Sequence, residues 1–333
     1  MRHSLLASLA ATLFWTALVL LILPTEHPAA APVASLSVME QSVLPTEAHA
    51  APENAVPNGF DDETLLSVQT DQGVRLMDLH SYLTGVLLAE MPVSFEDEAL
   101  KAQAVACRTY TLSRCHNPRH EGAAICTDSH CCQSWQDAEA AAPEDRERAA
   151  AAVRATDGLV LTYDGTLIDA TFFSCSGGRT EDAAAVWGGD LPYLKSVASP
   201  GEESASHYTD ELHVPLSDFC AKLTALDDRV CFSGEPGCWV NAVQYTSGGG
   251  VDHIELGGCS FRGTALRKAF SLRSTIFDLK LNADEAVFTT RGNGHRVGLS
   301  QYGADAMARA GNDFETILKW YYQDVELVHA EAQ

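Results

Sequence analysis

The stretch Leu79-His80-Ser81-Tyr82-Leu83-Thr84-Gly85-Val86-Leu87-Leu88-Ala89-Glu90-Met91-Pro92 decides how the rest of the chain is read. Asp78, just before it, can cap a helix by accepting from the first turn. Leu79, Leu83, Val86 and Leu87 recur at the spacing of one helical face. Pro92, without a backbone N–H, ends the helix. Ser94 followed by Asp97 has the form of a capping box with an acidic residue replacing the usual Glu or Gln. A second helix is therefore expected from Phe95 to about Ser113, turning Leu100, Ala104, Cys107 and Leu112 inward. Two helices with apolar faces must bury them against other elements, and the flanking sequence provides those elements.

Upstream, Leu65, Leu66 and Val68, then Val74 and Leu76, form two short strands around the turn Thr70–Gly73. Downstream, Pro143 and Gly158 bracket an Ala-rich helix near Glu144–Thr156. Asp164-Gly165 between Leu159–Tyr163 and Leu167–Phe173 is a hairpin signal. From Tyr193 to Phe288 short apolar runs alternate with Gly, Ser and Asp, which gives mixed strand and helix without assignable boundaries. A Gly-rich stretch, Arg291–Gly298, leads into a helix over Ser300–Ala310 stopped by Gly311. A helix near Phe314–Tyr322 and a strand Val325–Val328 follow. The expected class is α+β, mixed helices and short strands.

Before the first strand the composition changes twice. Leu5 to Leu23 runs nineteen residues without a charge, preceded by Arg2 and ended by Pro24. As a helix it would be about 28 Å long, the thickness of a bilayer core. Residues 1–24 are accordingly expected to be an uncleaved transmembrane anchor. The Ala29–Ala31 run with Val33 and Ala34 leaves open a cleavable signal peptide instead. Residues 25–58, rich in Pro, Ala, Ser and Glu, are expected to be a flexible tether, and 59–333 an extracytoplasmic catalytic domain. Arg2 at the amino-terminal side of the anchor puts the remainder outside the cytoplasm by the positive-inside rule.

The 333 residues carry 45 acidic against 22 basic side chains, a net charge of -23 that repels phosphate backbones and disfavours a nucleic-acid partner. Ten cysteines suit an extracytoplasmic location. Four of them, Cys220, Cys231, Cys238 and Cys259, allow three pairings that sequence does not choose between, or none in a weakly oxidising space.

Chemistry is carried by a few positions. Glu90 closes an otherwise apolar helical run, where a carboxylate is costly to ionise; its pKa should rise, as suits a general acid, unless it merely reaches water. Lys101 and Arg108 share a helix face; for Lys101 a solvated face is the preferred reading. Ser176-Gly177-Gly178 and Gly292–Gly298 let backbone amides approach a ligand closely. His120, Cys126, His130, Cys131 and Cys132 sit in one short loop, a soft donor set suited to tetrahedral zinc, with disulfide bonding as the competing reading.

Tyr82–Val86 through Ala89-Glu90-Met91-Pro92, then Glu98–Ala106 and Arg108-Thr109-Tyr110, resemble the core motif of the stage II sporulation protein D family. Ser174–Glu181, followed by Val186-Trp187 and Leu191–Leu194, agrees in order. So does Gly292–Ala304, which is similar to the family's GxGHGVGxSQYGA signature with Arg296 in place of a Gly. The amino-terminal apolar segment completes the match.

The resemblance implies an α+β fold around a glycan-binding cleft and peptidoglycan as substrate. It makes Glu90 the acid/base of a lytic transglycosylase that cleaves between N-acetylmuramic acid and N-acetylglucosamine. The expected strands are stripped of stem peptides, and the expected products carry 1,6-anhydro ends. Arg108, Tyr110, Ser176, His295, Ser300, Gln301 and Tyr302 are expected to touch the substrate, although turn-holding roles fit the last four equally well. Zinc-binding members end a similar loop in His-Cys-Gln. Here Cys131-Cys132-Gln133 stands there, giving His120, Cys126, Cys131 and Cys132 as the ligand set, with His130 as the alternative to Cys131. The zinc is expected to shape the site rather than to catalyse.

The family also implies spore engulfment as the setting, in the space between mother-cell and forespore membranes. The implied partners are a sporulation amidase or endopeptidase that strips peptides and a polytopic membrane protein. Two rival readings are a non-catalytic glycan-binding scaffold, which would not need Glu90, and a zinc hydrolase, for which so many soft ligands leave little open coordination.

Overall fold

The computed structural model describes residues 58–331; the expected anchor and all but the last residue of the expected tether lie outside the described residues. Among the described residues no helix is long and apolar enough to cross a membrane. The α+β class holds, and the apolar side chains gather into two buried clusters rather than one.

The described residues begin with a single helical turn, α1 (Phe60–Glu63). Strands β1 (Leu65–Thr70) and β2 (Gly73–Asp78) then pair antiparallel from Leu65↔Asp78 to Thr70↔Gly73. The Asp78 side chain accepts from Ser81 N–H at 2.7 Å and starts α2 (Leu79–Glu90), which buries the expected Leu79, Leu83, Val86 and Leu87 and also Tyr82, Thr84 and Gly85. Helix α3 runs from Asp97 to His116. It starts later than expected, and the capping box does not form: the cap residue is Glu96, which makes no side-chain cap bond. Its backbone N–H donates instead to Asp305 Oδ1 at 2.8 Å, so a carboxylate from 209 residues away does what the local pattern assigned to Asp97.

Short β3 (Ile125–Cys126) adds to β1 in parallel. Helix α4 (Pro143–Ala155) and strand β4 (Leu159–Tyr163) follow as expected. Asp164 and Gly165, at φ 48° and 70°, turn the chain into β5 (Thr166–Leu167). The expected strand to Phe173 ends there. Phe172–Phe173 forms a separate strand, β6, and Ala183–Trp187 a short helix, α5.

The chain then leaves the first cluster. Strand β7 (Thr209–Pro215), helix α6 (Leu216–Leu226), strands β8 (Val240–Tyr245), β9 (Val251–Leu256) and β10 (Cys259–Arg262), helix α7 (Gly263–Phe270), and strands β11 (Ile276–Leu281) and β12 (Glu285–Arg291) build the second. They form two three-stranded antiparallel sheets, ordered β11-β12-β7 and β10-β9-β8. Phe219, Phe270, Phe277 and Phe288 lie ring against ring at 5.0–6.1 Å in its centre. This resolves the stretch that had no assignable boundaries: alternating short strands read poorly because their faces are sorted by two sheets at once.

The carboxyl-terminal part returns to the first cluster through β13 (Leu299–Ser300), α8 (Gln301–Arg309), α9 (Phe314–Tyr321) and β14 (Glu326–His329). Strand β13 pairs in parallel with β6, and β14 antiparallel with β4. These late pairings hold the two glycine-rich blocks side by side.

Candidate active site

Glu90 is the last residue of α2 and is half-buried. Loss of water raises its pKa above the ordinary carboxylate value, opposed by hydrogen bonding from Ser134. The Ser134 backbone N–H donates to Glu90 Oε1 at 2.5 Å. That contact depends on Gly85, one turn and a half earlier on α2. A Cβ there would lie 2.3 Å from Trp135 Nε1 and 2.5 Å from the Gln136 carbonyl oxygen, so only glycine lets the 133–136 segment lie on the helix. Gln136 N–H donates to the Gly85 carbonyl at 3.2 Å, and Gln133 Nε2 donates to Thr111 on α3 at 2.9 Å. Ser134 holds Glu90 through both its backbone amide and its side chain, a role that no residue pattern in the sequence marks.

The same segment ends the cysteine-rich loop. His120, Cys126, Cys131 and Cys132 place one donor atom each within 4.8 Å of one another. His120 Nε2 lies 3.4 Å from Cys132 Sγ and 3.5 Å from Cys131 Sγ, and the two sulfurs are 3.9 Å apart. Tetrahedral zinc with these donors has N···S edges of roughly 3.5 Å and S···S edges of roughly 3.8 Å. The donor set therefore fits the ion. His130 does not join it; its ring is exposed and faces Asp128 at 3.3 Å. All ten cysteines are free thiols.

Arg108 is a correction. It was expected to meet substrate, but its side chain is fully buried and gripped by Asp61 on α1, with N···O distances of 2.6, 2.8 and 3.1 Å. Its remaining donors go to the Val153 and Leu159 carbonyls and to Thr156. A guanidinium so engaged ties α1, α3 and α4 together and has nothing left for a ligand. Tyr110 is buried too, with the Arg114 guanidinium 4.7 Å over its ring. Burial pushes its hydroxyl pKa up.

Ser176 and Ser300 are likewise taken up inside. Both donate to Glu202, a buried carboxylate that the sequence reading passed over. Glu202 Oε2 accepts from Ser176 Oγ at 2.7 Å, Ser176 N–H at 2.8 Å, Gly177 N–H at 3.0 Å and the Cys175 thiol at 3.3 Å. Oε1 accepts from Ser300 Oγ at 2.5 Å and Ser199 Oγ at 2.6 Å. The two expected sugar contacts are thus fasteners joining one glycine block to the other. The blocks touch closely: a Cβ on Gly292 would lie 2.8 Å from the Cys175 carbonyl. Glu202 stands in a stretch with no pattern, so no sequence signal marked it.

Gln301 is buried at the start of α8, whereas Tyr302 is half-buried, edge-on to Phe95 with centroids 4.9 Å apart. Phe95 lies five residues past Glu90, so Tyr302 brings the second glycine block to the end of α2. His295 is half-buried between Phe173 at 5.6 Å and Trp187 at 5.2 Å. Burial, with Arg267 nearby, lowers its pKa to about 4, so it is neutral at physiological pH.

Arg296, at the position where the family signature has a glycine, has a left-handed backbone, with φ at 68°. This costs a non-glycine residue roughly 1–2 kcal/mol. The side chain is fully buried and donates to the Ser176, Arg179 and Gly248 carbonyls, with Glu181 3.4 Å away. It thereby fastens the β8–β9 turn of the second cluster to the glycine blocks, which offsets the strain. Two shallow hollows open elsewhere, on the second cluster around His253 and Glu255 and around Cys231 and Cys238; neither includes Glu90.

By fold and site this is a two-cluster α+β protein with a half-buried glutamate of raised pKa on the segment that ends a group of three cysteines and one histidine. A family model described as Stage II sporulation protein matches residues 68–163. Stage II sporulation protein D of Bacillus subtilis (strain 168) is 34% identical over 275 residues, covering 79% of this chain and 78% of that protein. Its counterpart in Bacillus amyloliquefaciens has the same identity and coverage. The amidase enhancer of Bacillus subtilis (strain 168) is 28% identical over 296 residues, covering 74% of this chain and 40% of that protein. The chain belongs to the stage II sporulation protein D family, and its role is in sporulation.

Proposed function

We propose that the protein is a lytic transglycosylase that cuts the bond between N-acetylmuramic acid and N-acetylglucosamine, leaving 1,6-anhydro ends on strands already stripped of stem peptides. The observation that carries this reading is Glu90: a half-buried carboxyl with a raised pKa and one oxygen fixed by a backbone N–H. With Oε1 accepting from Ser134, the proton rides on Oε2. Glu90 gives it to the glycosidic oxygen, then takes one from the 6-hydroxyl of the muramic acid as the anhydro ring closes. Because the nucleophile belongs to the substrate, a single carboxyl suffices where ordinary glycosidases need two. Intramolecular attack adds an effective molarity on the order of 10⁵ M or more.

His120, Cys126, Cys131 and Cys132 would hold a zinc ion, which supplies a fixed charge and a cross-link in the loop that ends on Ser134. Four protein donors leave the ion no open position, so the role assigned to the cluster is to shape the site. The domain works outside the cytoplasm, anchored through Leu5–Leu23, between the two membranes of the engulfed spore. A peptide-stripping amidase and a polytopic membrane protein are its working partners; the name of one relative, amidase enhancer, favours the first.

The test is mass spectrometry of products from the full-length chain and peptide-free glycan strands. Anhydro ends from wild type, and none from Glu90→Gln despite strand binding, are expected. Full activity in Glu90→Gln would sink the mechanism, and wild type that binds strands without cutting them would leave a scaffold.

A further inference from the structure

Trp187 is half exposed, one of the few large apolar side chains open to solvent among the described residues. A Trp on the surface of a domain is ordinarily explained by burial in an interface or against a ligand. It stands at the end of α5 and rests on the His295 ring, 5.2 Å away at an interplanar angle of 51°. His295 in turn rests edge-on against buried Phe173.

The imidazole has no hydrogen-bonding capacity to spare. Its Nδ1 accepts from Val297 N–H at 3.2 Å, and the ring also hydrogen-bonds the Phe172 backbone. It is therefore a support in this structure rather than the sugar contact expected of it.

The support is continuous with the end of the catalytic helix. Phe95, just past Glu90, touches Tyr302. The backbone of Tyr302 is bonded to the Ser174 carbonyl at 3.1 Å, and Ser174 follows Phe173, which carries His295 and then Trp187. Two groups of rings, Phe95 with Tyr302 and Phe173 with His295 and Trp187, joined through the Tyr302–Ser174 backbone bond, thus lead from the α2–α3 turn to one exposed indole. Pyranose rings offer flat faces of C–H groups, and an indole held rigid by a second ring meets such a face with little loss of side-chain freedom.

We propose that Trp187 is the stacking platform for a pyranose ring of the glycan strand, and that His295 is a positioning residue that sets the plane of the indole. This rests on the glycan-cleaving reading and adds to it a subsite away from the reacting bond. A platform remote from the bond is expected to govern strand affinity more than the chemical step.

The experiment measures affinity of the full-length chain for peptide-free strands by calorimetry, in a Glu90→Gln background that cannot consume them, and KM and kcat in the active background. Trp187→Ala should weaken strand binding roughly tenfold, the equivalent of an aromatic contact of about 1.4 kcal/mol. In the active background it should raise KM with a smaller effect on kcat, whereas Trp187→Phe restores most of the affinity. His295→Phe keeps a ring under the indole and should bind nearly as wild type, while His295→Ala should lose part of the Trp187 contribution and nothing further once Trp187 is gone. Unchanged affinity and KM in Trp187→Ala overturn the platform and point to a protein contact for the exposed indole. Equal loss in His295→Phe and His295→Ala overturns the positioning role. Should wild type bind no strands at all, the enzymatic reading falls first and takes this subsite with it.

Discussion

Two glutamates mark two regions of this molecule and are treated in opposite ways. Glu202 is fully buried between the glycine blocks and accepts from six donors, Cys175, Ser176 twice, Gly177, Ser199 and Ser300. Glu90, at the end of α2, has one backbone donor at 2.5 Å and loses water without full compensation. A carboxylate wrapped in donors has its accepting capacity spent on them and serves as a fastener. One left short of donors holds its proton more tightly and can pass it on. The contrast separates structure from chemistry more sharply than the motifs do, because Ser176 and Ser300 belong to the motifs and yet serve Glu202.

The largest effect that could break this comparison is on catalysis. Glu90→Gln should lower the rate of anhydro-product formation by at least roughly 10²–10⁴-fold, measured by chromatography of strand digests, with the fold intact. Glu202→Gln should do the reverse, damaging stability first. An amide in place of the carboxylate turns a donor toward groups that are themselves donors, at a cost of about 2–4 kcal/mol. A fall in Tm of roughly 5–15 °C by calorimetry is expected. A stable, active Glu202→Gln would dissolve the distinction.

The region around Glu90 sharpens the comparison in a second way. Cys126→Ser should abolish a zinc content of about one per chain in protein purified without a metal-affinity tag, and should lower Tm, since a metal that binds only the native state stabilises it. Wild type without zinc, together with a mapped disulfide from Cys126, would reverse that reading.

The smallest expected effect concerns pH. Glu90 has a folded-state pKa above its ordinary value of 4.5, so between that value and the raised one the native state binds more protons than the unfolded state. Its contribution is present in full below the ordinary value and lost as pH climbs through the raised one. Glu90→Gln should therefore unfold at slightly higher denaturant than wild type at neutral pH, and the gap should close near pH 4. A gap that widens on acidification would show that Glu90 is stabilised as the anion.

Much of the first cluster was legible because its signals are local. Asp78 caps α2, Pro92 follows its end, Pro143 opens α4, and Asp164-Gly165 turns the β4–β5 hairpin, each where expected. Each of these depends on atoms a few residues apart. The start of α3 failed because its true partner, Asp305, is distant in sequence. Arg108 failed for a related reason: a motif match says that a residue is used, not whether it faces in or out. Only the position of Asp61 showed that it faces in.

Residue type and short spacing gave the fold class, a glutamate in an apolar run and five candidate donors in the cysteine-rich loop, and the resemblance to a family narrowed these to Glu90 as the acid/base and to His120, Cys126, Cys131 and Cys132, with His130 as the alternative to Cys131. The tertiary structure decided which neighbour each charged group meets. It gave Glu90 its amide from Ser134, made His295 a support rather than a free donor, and brought Arg296 onto carbonyls of two distant segments, at Ser176 and Arg179 and at Gly248. Hydrogen bonds and desolvation act over a few ångströms in space, and folding sets those distances among residues that the chain keeps far apart.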